Sequence, residues 1–229
     1  MALVQPDFVG KVSCLEGEDA SEEFQHIFGF PAEYVIASAM RGLRPVHEAD
    51  HLHSQASAEG SGFYHAFVSG VETAVDMLDQ WEANRKVDNQ MSPRAYRADG
   101  LALAFAQGNS ATGHSMEKNL RVKIGRVTAL ELQKLNAGSK QLTFDFLQES
   151  TKSSSRLRSM WLIIYNRNKD RVSLEVSLPI VDSIKHTIVG WDERLIFGEI
   201  TQDMRIAEAE INDESGAGTG DVAVAISAK

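Results

Sequence analysis

Apolar residues in the first half of the chain recur at the three- and four-residue spacing of amphipathic helices. Segment 31–43, PAEYVIASAMRGL, begins with proline and keeps its larger apolar residues on one face. Segment 62–86, GFYHAFVSGVETAVDMLDQWEANRK, repeats the spacing and carries acidic residues on the opposite, solvated face. Segment 92–108, SPRAYRADGLALAFAQG, begins with a serine–proline capping pair and ends at glycine. The pattern predicts a helix in each of these segments.

The period changes after residue 118. Segment 119–127, NLRVKIGRV, alternates apolar and basic residues, which predicts a half-buried strand. Segment 128–138, TALELQKLNAG, is typical of a short helix with Thr128 as its cap and a terminal glycine. Alternation returns in segment 141–148, QLTFDFLQ, and predicts a second strand there.

Segment 160–180, MWLIIYNRNKDRVSLEVSLPI, has the strongest hairpin pattern in the chain. An apolar run leads into the polar turn NRNKD, and an alternating strand follows that we expect to end at Pro179. The short runs HTIVGW and RLIFGEI predict two more strands, the last ending near Ile200. The expected fold is therefore α+β, with a helical N-terminal half followed by a mostly antiparallel sheet.

The 229 residues divide by composition into three regions. Residues 1–117 form a helix-rich acidic region, and residues 118–202 form a β-rich region. Residues 203–229 form an acidic, glycine-containing tail that we expect to be flexible. Net charges of −10 over 1–117, +8 over 118–171 and −7 over the remainder sum to −9, so a basic segment lies between two acidic ones.

The basic segment 118–171 is the main functional signal, because polyphosphates are frequent partners of positive faces. We hypothesise a nucleic-acid- or polyanion-binding protein without chemistry of its own, and with no cofactor or metal. Trp161 and Tyr165 are stacking candidates, although their apolar surroundings favour core positions. The predicted contacts are Lys118, Arg121, Lys123, Arg126, Arg156, Arg158, Arg167, Lys169 and Arg171.

The same charge distribution fits a second class of function. Basic strands that pair with acidic helices would neutralise one half of the chain against the other. The basic segment can equally pair with a partner protein, so the second class is a protein-interaction or regulatory subunit of a larger assembly.

The third class is a metal-dependent hydrolase or nuclease. His47, Glu48 and His51 have the H-E-x-x-H spacing of zinc hydrolases, and Glu72 is a candidate third ligand. The surrounding segment is polar, and Pro45 is expected to interrupt the preceding helical turn, so we predict no catalytic zinc here.

A nuclease core would instead use carboxylates on successive strands beside a lysine. Asp145 and Glu175 have the required order, but position 177 is serine where lysine is expected. Residues 108–115, GNSATGHS, resemble a phosphate-binding loop with histidine in place of its lysine, and a helix-ending glycine turn is the favoured interpretation.

The cysteine content and the distribution of apolar residues indicate the cellular compartment of the protein. Cys14 is the single cysteine, so no internal disulfide forms, and the sequence near it offers no base to activate the thiol. No apolar run approaches the roughly 20 residues that span a bilayer, and the first residues do not resemble a signal peptide. We expect a cytoplasmic protein that does not act at a membrane.

Overall fold

The computed structural model describes residues 13–47, 55, 57–83, 93–114, 120, 126–137, 159–182, 184–185 and 187–201. Within these ranges the chain forms four helices and one seven-stranded mixed sheet, which confirms the α+β class. The helices are α1 (Gly17–Phe28), α2 (Glu33–His47), α3 (Ala58–Asp76) and α4 (Arg126–Ala137). The strands are β1 (Ser13–Glu16), β2 (Trp81–Ala83), β3 (Arg94–Arg97), β4 (Ala102–Gln107), β5 (Met160–Asn168), β6 (Arg171–Val181) and β7 (Ile188–Thr201).

The spatial order of the strands is β1-β7-β6-β5-β4-β3-β2. Strands β1 and β7 are parallel, as are β4 and β5, and the other four neighbouring pairs are antiparallel. The sheet therefore contains strands from both sides of the composition change at residue 118.

Each face of the sheet is covered by helices. Helices α1, α2 and α3 share a buried cluster with Trp161, Ile163 and Tyr165 of β5. On the opposite face, Leu132 of α4 packs with a cluster that includes Leu162. Because both faces of β5 are covered, its sequence is a continuous apolar run rather than an alternating one.

Helices α2 and α3 pack closely because small residues lie between them. A Cβ atom added at Gly70 would lie 2.9 Å from the Cβ of Ser38, and one added at Gly42 would lie 2.9 Å from the ring of Phe63. A Cβ atom added at Gly62, near the start of α3, would lie 3.1 Å from the Cβ of Pro45. The last turn of α2 therefore lies beside the first turns of α3.

The hairpin predicted at 160–180 is confirmed as β5 and β6. Strand β6 nevertheless continues through Pro179 to Val181, so the predicted end of the strand is wrong. A register shift against β7 between Leu178 and Pro179 accommodates the proline, which has no N–H for a regular ladder. From Ile188 onward, the runs HTIVGW and RLIFGEI belong to one strand, β7, rather than two.

The helix predicted at 92–108 is wrong, because this segment forms the hairpin β3–β4. Gly100, with φ of 98°, provides the turn between the strands. Strand β4 is alanine-rich, which favours a helix locally, but it lies between β3 and β5 within the sheet. Sheet pairing and burial outweigh that local preference.

Three smaller boundaries also differ from the predictions. The helix expected over 62–86 ends at Asp76, and Trp81 begins β2, where its indole N–H donates to the carbonyl of Phe28. The helix expected from Thr128 begins at Arg126, so the end of the strand predicted at 119–127 is helical. Segment 141–148 and the acidic tail from residue 203 lie outside the described residues.

Among the described helices, none is both long enough and apolar enough to cross a bilayer.

Candidate functional site

The turn between β5 and β6 carries three of the predicted contact residues. Lys169 and Asp170 connect the strands, and Asn168 and Arg171 form the last cross-strand pair before the turn. Lys169 has φ of 56°, in the left-handed region, and its side chain is exposed at the tip of the hairpin. Continuous pairing of β5 with β6 gives this tip a defined position.

Arg167 lies on the face of the sheet that carries α1, α2 and α3. Trp161, Ile163 and Tyr165 face those helices, and alternation along the strand places Arg167 on the same side. The Arg167 guanidinium lies 3.3 Å from a carboxylate oxygen of Glu59, in the first turn of α3. Its second nitrogen donates to the Lys169 carbonyl at 3.3 Å, which ties the side chain to the turn.

Arg171 lies on the opposite face. Val172 of β6 faces the three helices, so the preceding residue points toward the α4 side. Its guanidinium lies 3.2 Å from a carboxylate oxygen of Glu199 on β7. The side chains of this pair are 53% and 47% exposed, so the pair is well solvated.

The structure therefore gathers three of the nine predicted contacts at one end of the sheet, on two faces and a tip rather than on a single face. Arg126 lies at the start of α4, but its side chain is outside the described part of the chain. The other five, Lys118, Arg121, Lys123, Arg156 and Arg158, lie outside the described residues.

Sequence reasoning missed Arg44, which lies at the same end of the molecule. It is an exposed residue in the last turn of α2, beside the first turns of α3, where Glu59 meets Arg167. Arg44 lies in a strongly acidic region of the sequence, so the charge distribution along the chain does not single it out. Its position near this end follows from the antiparallel packing of α2 on α3, in which Gly42 lies beside Phe63 and Pro45 lies beside Gly62.

The two aromatic stacking candidates occupy core positions. Trp161 is 0% exposed and Tyr165 is 6% exposed, so neither presents a ring to a base. The Tyr165 ring packs against Phe63 and Phe67 of α3, with centroids 5.4 and 5.5 Å apart. Burial, reinforced by the neighbouring Tyr64, raises the pKa of Tyr165 well above its ordinary value.

A second polar cluster is buried beneath the loop that follows β4. Glu175 on β6 is 0% exposed and Arg194 on β7 is 3% exposed, and their charged groups lie 2.6 Å apart. The second oxygen of Glu175 accepts a hydrogen bond from the Ser177 hydroxyl at 2.9 Å. Arg194 also donates to the His114 carbonyl at 2.7 Å, and Gly113 N–H donates to Glu175 at 2.9 Å.

This cluster fixes the loop onto the sheet and weakens two catalytic hypotheses. Both oxygens of Glu175 accept hydrogen bonds from the chain itself, and Asp145, its proposed nuclease partner, lies outside the described residues. In the loop 108–115, the Gly113 amide donates to Glu175 where a phosphate-binding loop would donate to its ligand. The segment before the loop is strand β4 rather than the helix expected there, so that expectation is wrong, and a strand in this position is compatible with a phosphate-binding loop.

The histidine motif begins at the end of α2. His47 is the last residue of that helix, while Glu48 and His51 lie outside the described residues. Pro45 is accommodated within the helix, so the expectation that it interrupts the preceding turn is wrong. Glu72 is buried rather than on the solvated face of α3. Within the described ranges, no group of three or more histidine, cysteine, aspartate or glutamate residues has a metal-binding arrangement.

Cys14 lies on β1 in register with Arg194 of β7. Partial desolvation raises the pKa of the Cys14 thiol, and the Arg194 guanidinium opposes that effect. A thiol with a raised pKa is less ionised at neutral pH, which disfavours a role as nucleophile.

No protein-family model, curated protein or solved structure matches this chain. A function must therefore be inferred from its own residues.

Proposed function

We propose that the chain binds nucleic acid or another polyanion through its basic segment 118–171, without chemistry of its own. The observation that carries this proposal is the exposed Lys169 at a defined hairpin tip, with Arg167 and Arg171 on either side of it. A hairpin end at which an exposed lysine lies between two arginines is accessible to a ligand much larger than the protein.

The ion pairs at Arg167 and Arg171 are compatible with binding. An exposed ion pair such as that of Arg171 stabilises a fold by at most about 1 kcal/mol, so a linked phosphate can replace its carboxylate partner at small cost. The side chains of the Arg167 pair are 20% and 34% exposed, so that guanidinium is also within reach of solvent. Binding to a polyphosphate also releases condensed counterions, which is favourable at low salt. The two carboxylates, together with the exposed Asp170 in the turn itself, therefore weaken the site without blocking it.

The test is a triple variant, Arg167→Gln, Lys169→Gln and Arg171→Gln, compared with Lys185→Gln. Lys185 is exposed and follows β6, at the opposite end of that strand from Lys169. Fluorescence anisotropy with a labelled oligonucleotide is repeated over a range of salt concentrations. The salt slope of the triple variant should be smaller by about 0.7 units per lost contact on a single strand, or about 0.9 on a duplex. The control should match the parent in slope, and both variants should keep the parent's urea midpoint.

Failure of the parent to bind at low salt would reject the proposal. Equal salt slopes for the parent and the triple variant would place the contact elsewhere in the chain.

A second candidate function, a protein-interaction or regulatory subunit, is favoured by an open groove between α2 and α3. The groove has a volume of about 280 Å³ and is lined in part by Tyr34 and Met77. These side chains are 43% and 80% exposed, and exposed apolar residues are common at protein contacts. Sedimentation velocity should then show a defined higher-order species that Met77→Asp dissociates, and a monomer at every concentration would exclude self-assembly through this groove.

A further inference from the structure

We infer that the ligand of the β5–β6 turn is a flexible, single-stranded phosphate chain rather than a duplex. This inference rests on the proposed polyanion-binding function and adds the class of ligand. It follows from the positions of Arg167, Lys169 and Arg171 around the hairpin.

The three cations follow a path over the end of the sheet. Arg167 lies on the side of α3, Lys169 lies at the tip, and Arg171 lies on the side of α4. A ligand that contacts all three must pass from one face of the sheet, across the tip, to the other face. The ligand must therefore turn sharply within a few phosphate units.

A duplex is too stiff for that path. Its persistence length is about 150 base pairs, so it presents nearly straight rows of phosphates to a surface this small. Nor is the hairpin an isolated ribbon that enters a groove, because Arg171 is paired with Thr201 of β7 and Glu59 of α3 contacts Arg167. A duplex therefore reaches Lys169 and one arginine, whereas a single strand reaches both arginines.

The carboxylates of Glu59 and Glu199 compete with small anions for the two arginines. Each is held within 3.3 Å of an arginine by the fold, so it competes at a high effective concentration. A single phosphate ion must displace a carboxylate without help from a second contact. A chain of linked phosphates displaces both, because its first contact brings the next phosphate close to the second arginine.

Tyr165, two residues before Arg167 on β5, is buried, so its ring does not stack a base. The contacts that Arg167, Lys169 and Arg171 offer are contacts to phosphates. A single-stranded nucleic acid and an inorganic polyphosphate share the required chemistry, and the ligand arms of the experiment distinguish them.

The experiment measures anisotropy of a labelled oligothymidine of about 16 nucleotides, near the upper range of single-strand site sizes. A hairpin duplex with the same number of phosphates is measured in parallel, and inorganic polyphosphate and inorganic phosphate are used as competitors. The proteins are the parent, Arg167→Gln, Arg171→Gln and the control Lys185→Gln. Unlabelled oligothymidine is a further competitor. At equal phosphate concentration, the stronger competitor of polyphosphate and oligothymidine is the ligand that the site prefers.

Three contacts on a single strand give a salt slope of about −2.1, which is a roughly twentyfold loss of affinity between about 50 and 200 mM salt. Each arginine variant should reduce that loss to about sevenfold, and Lys185→Gln should leave it unchanged. On the duplex, at most one of the two arginine variants should alter the slope. Inorganic phosphate should not compete at concentrations at which the linked chains do.

Equal contributions of both arginines on the duplex would overturn this inference and leave the proposed function standing. A parent protein that binds none of the ligands would overturn both. Binding that neither arginine variant affects would overturn this inference alone, because the contact would then lie elsewhere in the chain.

Discussion

The buried pair of Glu175 and Arg194 makes the most severe stability prediction for this protein. Replacing Arg194 with methionine puts an unbranched apolar side chain in place of the arginine. The Glu175 carboxylate, which is 0% exposed, then lacks its 2.6 Å partner. The replacement also removes the hydrogen bond to the His114 carbonyl. Breaking a buried pair in this way costs about 3–5 kcal/mol of unfolding free energy.

Two companion variants isolate the charge effect. The double variant Glu175→Gln with Arg194→Met removes both charges, and the glutamine amide oxygen still accepts from Gly113 N–H. We expect it to recover about half or more of the lost stability. Arg171→Met removes the arginine of a half-exposed pair on the same strand as Glu175 and should cost less than about 1 kcal/mol.

Urea unfolding followed by circular dichroism measures these differences, with unchanged m-values as evidence that only stability changed. The melting temperature of Arg194→Met should fall by roughly 6–20 °C, since about 2–4 °C corresponds to 1 kcal/mol in a protein of this size. A loss of stability in Arg194→Met no larger than that in Arg171→Met would contradict the predicted cost of a buried unpaired charge. A double variant no more stable than Arg194→Met would contradict it as well.

Two other predictions concern burial and backbone geometry. Burial raises the pKa of Tyr165, so the folded state holds the phenolic proton more tightly than the unfolded state. The stability of the protein should therefore fall as pH rises above about 10. The urea midpoint of Tyr165→Phe should fall less over that range, and parallel pH profiles of the two proteins would contradict this. Gly113→Ala should cost at least about 1 kcal/mol, because φ is +78° and the new Cβ would lie 3.1 Å from Ser173. The control Gly60→Ala, in open space on α3, should be neutral or stabilising by up to about 1 kcal/mol.

Elements with a strong period of their own were predictable from the sequence. The β5–β6 hairpin was predicted because an apolar run, a polar turn and an alternating strand follow one another directly. Segment 92–108 was not, because its alanines favour a helix and only pairing with β5 selects a strand. Strand β1 has four residues at the edge of the sheet, too few for any period to be visible.

The candidate sites show the same division between local and long-range information. Arg167, Lys169 and Arg171 were identified because they surround a recognisable turn. Their distribution over two faces was not predicted, because it depends on which face of β5 and β6 the helices cover. Glu175 was identified as a strand carboxylate, but its pairing with Arg194 depends on the register of β6 against β7.

The pairing of β1 with β7 has a consequence for how the chain folds. Ser13 and Glu193 are partners although nearly the whole described chain lies between them, so this contact has one of the largest loop-closure costs in the molecule. During synthesis, α1 emerges early, but the strand that contacts its aromatic face at Phe197 emerges late. Until β7 is synthesised, the aromatic side chains of α1 lack their native contact with Phe197 and remain partly exposed. A chain interrupted before Ile188 should therefore aggregate rather than fold.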